Sequence, residues 1–225
     1  MKHLKKSVLL FSALTLFHCA NDDDASVDLP TVNTAVNFTY KTTINVGGEA
    51  AAEISAYDKT TKKLFVTNAE SNEISIYNLS DLELPIQEAS ISLNGFGAPN
   101  SVAVFDGKLA VAVEASIKQN PGQIRVYNTA DASLNNTYTV GALPDMVTFS
   151  KDGNFILSAN EGEPNADYTN DPMGTVSIID LNNNTVTTLD FTSFNSQEAA
   201  LEANHFRVTG LNADLAKDVE PEYIT

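Results

Sequence analysis

The sequence has 225 residues, with 13 Lys+Arg against 29 Asp+Glu and a formal net charge of −16. A nucleic-acid binder needs a basic face to displace counterions, and a polybasic membrane-surface binder needs clustered cations, so this balance argues against both. With 43% apolar residues arranged in runs, the chain is not disordered throughout, and its length suffices for one sizeable core.

Met1–Lys6 is basic and Val8–Phe17 (VLLFSALTLF) is an apolar run. A bilayer-spanning helix needs ~20 apolar residues, so residues 1–18 read as a secretory signal rather than an anchor. Cys19, the one cysteine of the chain, follows at once. A lone Cys after such a run is similar to a bacterial lipobox, in which it is lipidated. His18 stands where that motif carries a small residue, and the alternative is an ordinary cleaved signal with an incidental Cys. Removing the signal takes Lys2, Lys5 and Lys6 and leaves 10 basic and 29 acidic side chains. Residues 19–36 lack a helical or alternating period and read as a tether. Its acidic run, Asn21–Asp24, is similar to the surface-export signal of some Gram-negative lipoproteins; the alternative is a solvated spacer. The expected location is the outer membrane or cell surface, with membrane contact only through the lipid.

Residues 37–225 form the expected folded domain. Period-2 apolar alternation recurs there in blocks. The first block reads Glu53–Asp58, Lys63–Asn68, Glu73–Asn78 and Glu88–Leu93. The second reads Asn100–Phe105, Leu109–Val113, Gln123–Asn128 and Thr137–Val140. The third reads Asp145–Ser150, Phe155–Asn160, Thr175–Asp180 and Val186–Phe191. Asp-Gly at 106–107 and 152–153 suits tight hairpins. The opening residues Glu53, Asn100 and Asp145 lie 47 and 45 positions apart. Four short strands repeating every ~45 residues predict an all-β fold, a β-propeller of four-stranded blades.

Asn195-Ser196-Gln197-Glu198 reads as a capping box opening a short helix over Ala199–His205, a helical insertion between blades. Glu222, in Pro221–Thr225, is then expected to begin a fourth blade. Phe38–Val46 sits where a leading outer strand would lie. Stacked repeats bury their faces against neighbours, and propeller rings generally have four or more blades. About three blades and the start of a fourth therefore read as part of a larger propeller.

Several ordered motifs carry a resemblance over about residues 38–225. They are Gly47-Gly48-Glu49-Ala50-Ala51-Ala52-Glu53-Ile54, Pro99–Val104, Val111–Glu114, Val140–Met146, Ala159–Pro164 and Val219–Ile224. The chain resembles the choice-of-anchor I family, related to mesenchyme-specific cell-surface glycoproteins linked with biomineralisation. The resemblance implies a secreted or surface-anchored propeller that continues for some 200 residues past this sequence. Some bacterial relatives carry an alkaline-phosphatase label.

In propeller blades the first strand lies nearest the axis, so Glu53, Asn100, Asp145 and Glu222 are expected at one mouth of the channel. Glu114 and Glu161 end second strands, whose ends lie beside the starts of the first. Glu49, Glu163 and Glu220 fall in adjacent loops. Crowded carboxylates raise each other's pKa or recruit a cation. Oxygen-only ligands suit Ca²⁺, or less well Mg²⁺, and not Zn²⁺ or Cu²⁺. The candidate metal set is Glu53, Asn100, Glu114, Asp145, Glu161, Glu163 and Glu222; the alternative is solvated acids spread around loops. The loop Asn160–Pro172 is rich in oxygen donors but lacks EF-hand spacing, and reads as a polar inter-strand loop before it reads as a cation site.

Past the signal, His205 is the one histidine, which argues against a multi-His zinc site. No nucleophile-elbow motif accompanies it, nor is any nucleotide cofactor signalled. Arg125 and Arg207 are the only arginines, so phosphate clamping would be thin. The expected function is a binding module with a Ca²⁺-type site and an extracellular or cell-surface partner. The alternative is a metal-dependent phosphoesterase in which clustered metals activate water.

Overall fold

A computed structural model of the chain describes residues 38–49, 51–211 and 213–225. The signal (1–18), the Cys19 lipidation site and the tether (19–36) lie outside the described residues. The chain divides into two units, Met1–Tyr40 and Lys41–Thr225. Of the first, residues 38–40 are described; they are exposed and carry no regular structure.

The second unit holds twelve strands in three antiparallel four-stranded sheets. The first sheet is β1 (Ser55–Asp58), β2 (Lys63–Asn68), β3 (Glu73–Asn78) and β4 (Ile86–Ser92). The second is β5 (Pro99–Phe105), β6 (Lys108–Val113), β7 (Pro121–Asn128) and β8 (Leu134–Ala142). The third is β9 (Pro144–Phe149), β10 (Phe155–Asn160), β11 (Thr175–Asp180) and β12 (Thr185–Asp190). Strand order in each sheet follows sequence order. The opening strands β1, β5 and β9 touch one another in turn, which is the arrangement of propeller blades around an axis.

The blades stack through two apolar layers. Phe65, Ile74 and Ile76 of the first sheet meet Val102, Leu109, Val111 and Val113 of the second. Ala110, Ala112, Ile124 and Val126, on the opposite face of the second, meet Val147, Ile156 and Ile179 of the third. Alternating residues of β6 thus serve two different cores, the period-2 geometry of a strand buried on both sides. A fully buried aliphatic or aromatic side chain contributes ~1.5–3 kcal/mol. Polar groups at the joints are satisfied. Asp58 is 4% exposed and accepts from Thr129 Oγ1 at 2.6 Å, Thr61 Oγ1 at 2.9 Å and Thr60 N at 2.9 Å. Burial acts to raise its pKa, but these donors together outweigh it and lower the value.

The insertion departs from expectation at its start. A 3-10 helix spans Thr192–Gln197 and leads into α1 (Glu198–Glu202) without any side-chain cap. Asn195 is committed elsewhere: its Nδ2 donates to Asp214 Oδ2 at 2.8 Å and its Oδ1 accepts from Ala216 N at 2.9 Å. It thereby ties the 3-10 helix to α2 (Leu215–Asp218), and this tertiary use replaces the local capping box. Helix α1 also stops short of the expected end. His205 lies beyond it at φ 71°, its N–H on the Glu202 carbonyl.

Neither Phe38–Val46 nor Pro221–Thr225 carries strand pairing among the described residues. Each opening strand of the three sheets pairs with the strand that follows it in sequence. No helix of the described residues is long and apolar enough to cross a membrane.

Candidate functional site

Three backbone hydrogen bonds align the blades residue by residue. Ala69 N donates to Ala51 O at 3.1 Å, Glu114 N to Ala98 O at 3.1 Å, and Glu161 N to Leu143 O at 2.9 Å. Counting two residues on from each acceptor makes Glu53, Asn100 and Asp145 equivalent, as the 45-residue spacing predicts. The same bonds make Glu114 equivalent to Glu161, with Ala69 standing in the first blade. There the next residue, Glu70, turns back and accepts from Gly48 N at 2.8 Å, closing the Gly47-Gly48 turn.

Asn100 and Asp145 share a further feature. The β5–β6 register passes from Pro99↔Val113 to Ser101↔Ala112, and the β9–β10 register from Pro144↔Asn160 to Met146↔Ala159. Each candidate residue is therefore the extra residue of a bulge, a device that frees a side chain from the ladder and re-aims it. The preceding prolines account for it. Pro99 and Pro144 have no N–H to give the ladder, which confines proline to strand starts and bulges. Asn100 uses its freedom to donate from Nδ2 to the Pro144 carbonyl at 3.1 Å.

Five of the candidate acids act on one another. Burial comes first in raising the Asp145 pKa, followed by the charges of Glu53, Glu222 and Glu163, with Lys118 opposing. Glu161 is pushed up to about 7, first by burial and then by Asp145, Glu163, Glu220 and Glu222. Glu220 is raised by burial, then by Glu163, Asp218, Asp171 and Glu222. The spread of contributors, from residue 53 to residue 222, places the openings of the first and third sheets and the segment after α2 within one electrostatic field. Its physical content is a set of carboxylates held together at a cost in solvation and mutual repulsion.

Glu114 and Asn100 are engaged differently. The Glu114 carboxylate lies 3.7 Å from Lys118 Nζ, which is also 4.0 Å from Glu163. Asn100 spends its amide on a carbonyl, as above. Lys118 is the member that sequence reading missed. Its signal was present: it lies four residues after Glu114, in the loop leaving β6. Asp171 and Asp218 were also missed, because nothing local marks their approach to Glu220. In the loop after β10, Asn165 Oδ1 accepts from the N–H groups of Thr169 and Asn170, and Asp167 accepts from Thr169 Oγ1. Those oxygens maintain the loop's own turns.

The donor set is oxygen only, which fits Ca²⁺ or Mg²⁺ chemistry. Among the described residues, no three His, Cys, Asp or Glu side chains stand close enough to enclose an ion as they lie. Asp145, Glu161 and Glu163 would have to close toward each other to do so.

A family model for the choice-of-anchor I domain matches residues 53–225. None of the curated proteins matches the chain. Among solved structures, the hydrazine synthase of Kuenenia stuttgartiensis is similar at 20% identity with a TM-score of 0.47, over 61% of this chain. The matched part spans 37% of that protein's length.

Proposed function

The chain belongs to the choice-of-anchor I domain family, and on that premise we propose that it is a surface-exposed binding module whose blade openings hold a Ca²⁺-type cation. One observation carries this reading: Asp145 and Glu161 are both pushed up by burial and by a shared set of neighbouring carboxylates. Such a set is relieved by a proton or by a cation. Asp145, Glu161 and Glu163 are the proposed ligands, with Glu53 and Glu222 adding charge and Asn100 positioning the strand that carries Asp145. The lipid anchor on Cys19 and export through residues 1–18 belong to the same proposal, and so does an extracellular or cell-surface partner.

Calcium titration calorimetry at two pH values tests it. Deprotonating Glu161 is a precondition for binding, so affinity should rise between pH 6 and pH 8 and protons should be released on binding. Asp145→Asn and Glu161→Gln should each weaken binding at least tenfold. Wild-type affinity in both variants would overturn the assignment.

A second reading, a metal-dependent phosphoesterase, draws on Glu161, whose pKa of about 7 lies in the range of a general acid or base. Calcium-dependent hydrolysis of p-nitrophenyl phosphate that is lost in Glu161→Gln would favour it. Binding without turnover from pH 6 to pH 10 would remove it.

A further inference from the structure

Asn94-Gly95 is the one Asn-Gly step of the chain, and it lies in the connection from β4 to β5. The Phe96 N–H donates to the Leu93 carbonyl at 3.0 Å, closing a turn whose two central residues are Asn94 and Gly95. Gly95 sits at φ 89°, a left-handed value that glycine adopts without steric penalty. Both ends of the turn are anchored. Leu93 is fully buried and its N–H donates to the Asn72 carbonyl at 2.8 Å. The Phe96 ring lies 4.0 Å from the Arg125 guanidinium, and the Phe96 carbonyl accepts from Ser116 Oγ.

Three features leave this step open to reaction. Asn94 and Gly95 are both exposed. Among the described residues the Asn94 side-chain amide makes no hydrogen bond, and the Gly95 N–H has no acceptor. The space where a Cβ of residue 95 would stand is empty, so nothing hinders the approach of Gly95 N to the Asn94 side-chain carbonyl carbon. The two Asn-Ser steps of the chain, at 100–101 and 195–196, are held instead. Asn100 donates to the Pro144 carbonyl, and Asn195 uses both ends of its amide on Asp214 and Ala216.

We propose that Asn94 is a site of spontaneous covalent modification, deamidating through a cyclic imide formed with Gly95. Gly95 N gives up its proton and attacks Asn94 Cγ. The new N–Cγ bond closes a succinimide ring, the Cγ–Nδ2 bond breaks, and the nitrogen leaves as ammonia with that proton. Water then opens the ring. Cleavage of the N–Cγ bond yields aspartate. Cleavage between Gly95 N and the backbone carbonyl carbon of residue 94 yields isoaspartate, whose main chain is one methylene longer. Either product adds one negative charge, and no oxidant or reductant takes part. The isoaspartyl form inserts its extra backbone atom into the turn that presents Phe96 to Arg125. Asp106-Gly107 and Asp152-Gly153 share the glycine, but their carboxylates have no ammonia to lose, so the mass change of deamidation singles out Asn94.

The test incubates the full chain at 37 °C and pH 6, 7 and 8 and follows its peptides by mass spectrometry, with electron-transfer fragmentation to separate aspartate from isoaspartate. Position 94 should convert at least tenfold faster than any other asparagine, Asn100 and Asn195 included. The rate should rise with pH, because the attacking nitrogen must lose a proton, and isoaspartate should be in excess. In water enriched in heavy oxygen, one heavy atom should enter the product. The folded chain should convert within tenfold of the rate of a synthetic peptide spanning Ser92–Ala98, since the fold leaves the step unprotected. Asn94→Gln, which would need a larger ring, and Gly95→Ala, which puts a methyl group beside the attacking nitrogen, should each slow conversion at least tenfold. An unmodified Asn94 in folded chain after the peptide has converted, a faster asparagine elsewhere, a rate indifferent to pH, or conversion unaffected by either variant would each overturn the proposal. The measurement on the wild-type chain stands without the variants, and none of these outcomes depends on calcium.

Discussion

Asn100, the bulge residue of β5, holds the carbonyl of Pro144, the residue before the bulge of β9, at 3.1 Å. One bulge thus fixes the next, and the side chain aimed by the second is Asp145. Replacing Asn100 by Ala removes this bond at a cost of about 1 kcal/mol. Asn100→Asp should cost more at pH 7, because a carboxylate then faces a carbonyl, and should recover part of the loss on acidification. Urea unfolding of both variants at pH 7 and pH 4 checks the order.

Glu161 gives stability a pH dependence of defined sign. Its folded pKa of about 7 lies above the ordinary 4.5, so the folded state holds more protons than the unfolded between these values. Stability is therefore greatest at the acid end of this window, falls as pH rises through it, and levels off above about 7. Unscreened, the shift corresponds to ~3 kcal/mol; solvent at this partly exposed site reduces the expectation to ~1–2 kcal/mol. For a chain of this size each kcal/mol moves Tm by about 2–4 °C. Glu161→Gln should flatten the decline between pH 5 and pH 8 in thermal scans.

Lys118 already supplies one positive charge to this field, 3.7 Å from Glu114 and 4.0 Å from Glu163. A divalent ion must compete with it. Lys118→Met should strengthen calcium binding several-fold while lowering the stability of the calcium-free protein. Unchanged affinity in calorimetry would show that the lysine lies outside the cation's reach.

Gly141 leaves room for a buried polar joint between blades. A Cβ there would collide with Thr175 Oγ1 and lie 2.9 Å from the Asn160 side chain. Asn160, fully buried, donates from Nδ2 to Thr175 Oγ1 and Ser177 Oγ. Gly141→Ala should cost about 1–3 kcal/mol by overpacking alone, and more if the network breaks. The shift in urea midpoint, with an unchanged m-value, is the readout.

Strand existence and order were legible because the signals are local. Period-2 alternation and Asp-Gly turns located Lys63–Asn68, Glu73–Asn78, Phe155–Asn160 and Thr175–Asp180 to the residue. The capping box at Asn195 failed because Asp214 and Ala216, distant in sequence, claim the same side chain. Spacing marked Glu53, Asn100 and Asp145 as equivalent positions of the three blades, which the matching backbone hydrogen bonds repeat.

The net charge of −16 thus divides in two. By itself the sequence determined which carboxylates recur at blade spacing. Only the tertiary structure decided that Glu161, Asp145, Glu220 and Glu222 share a field and that Lys118 enters it. Strand identity depends on neighbours along the chain, whereas charge interaction and solvation depend on distance through space, which is set when the blades stack.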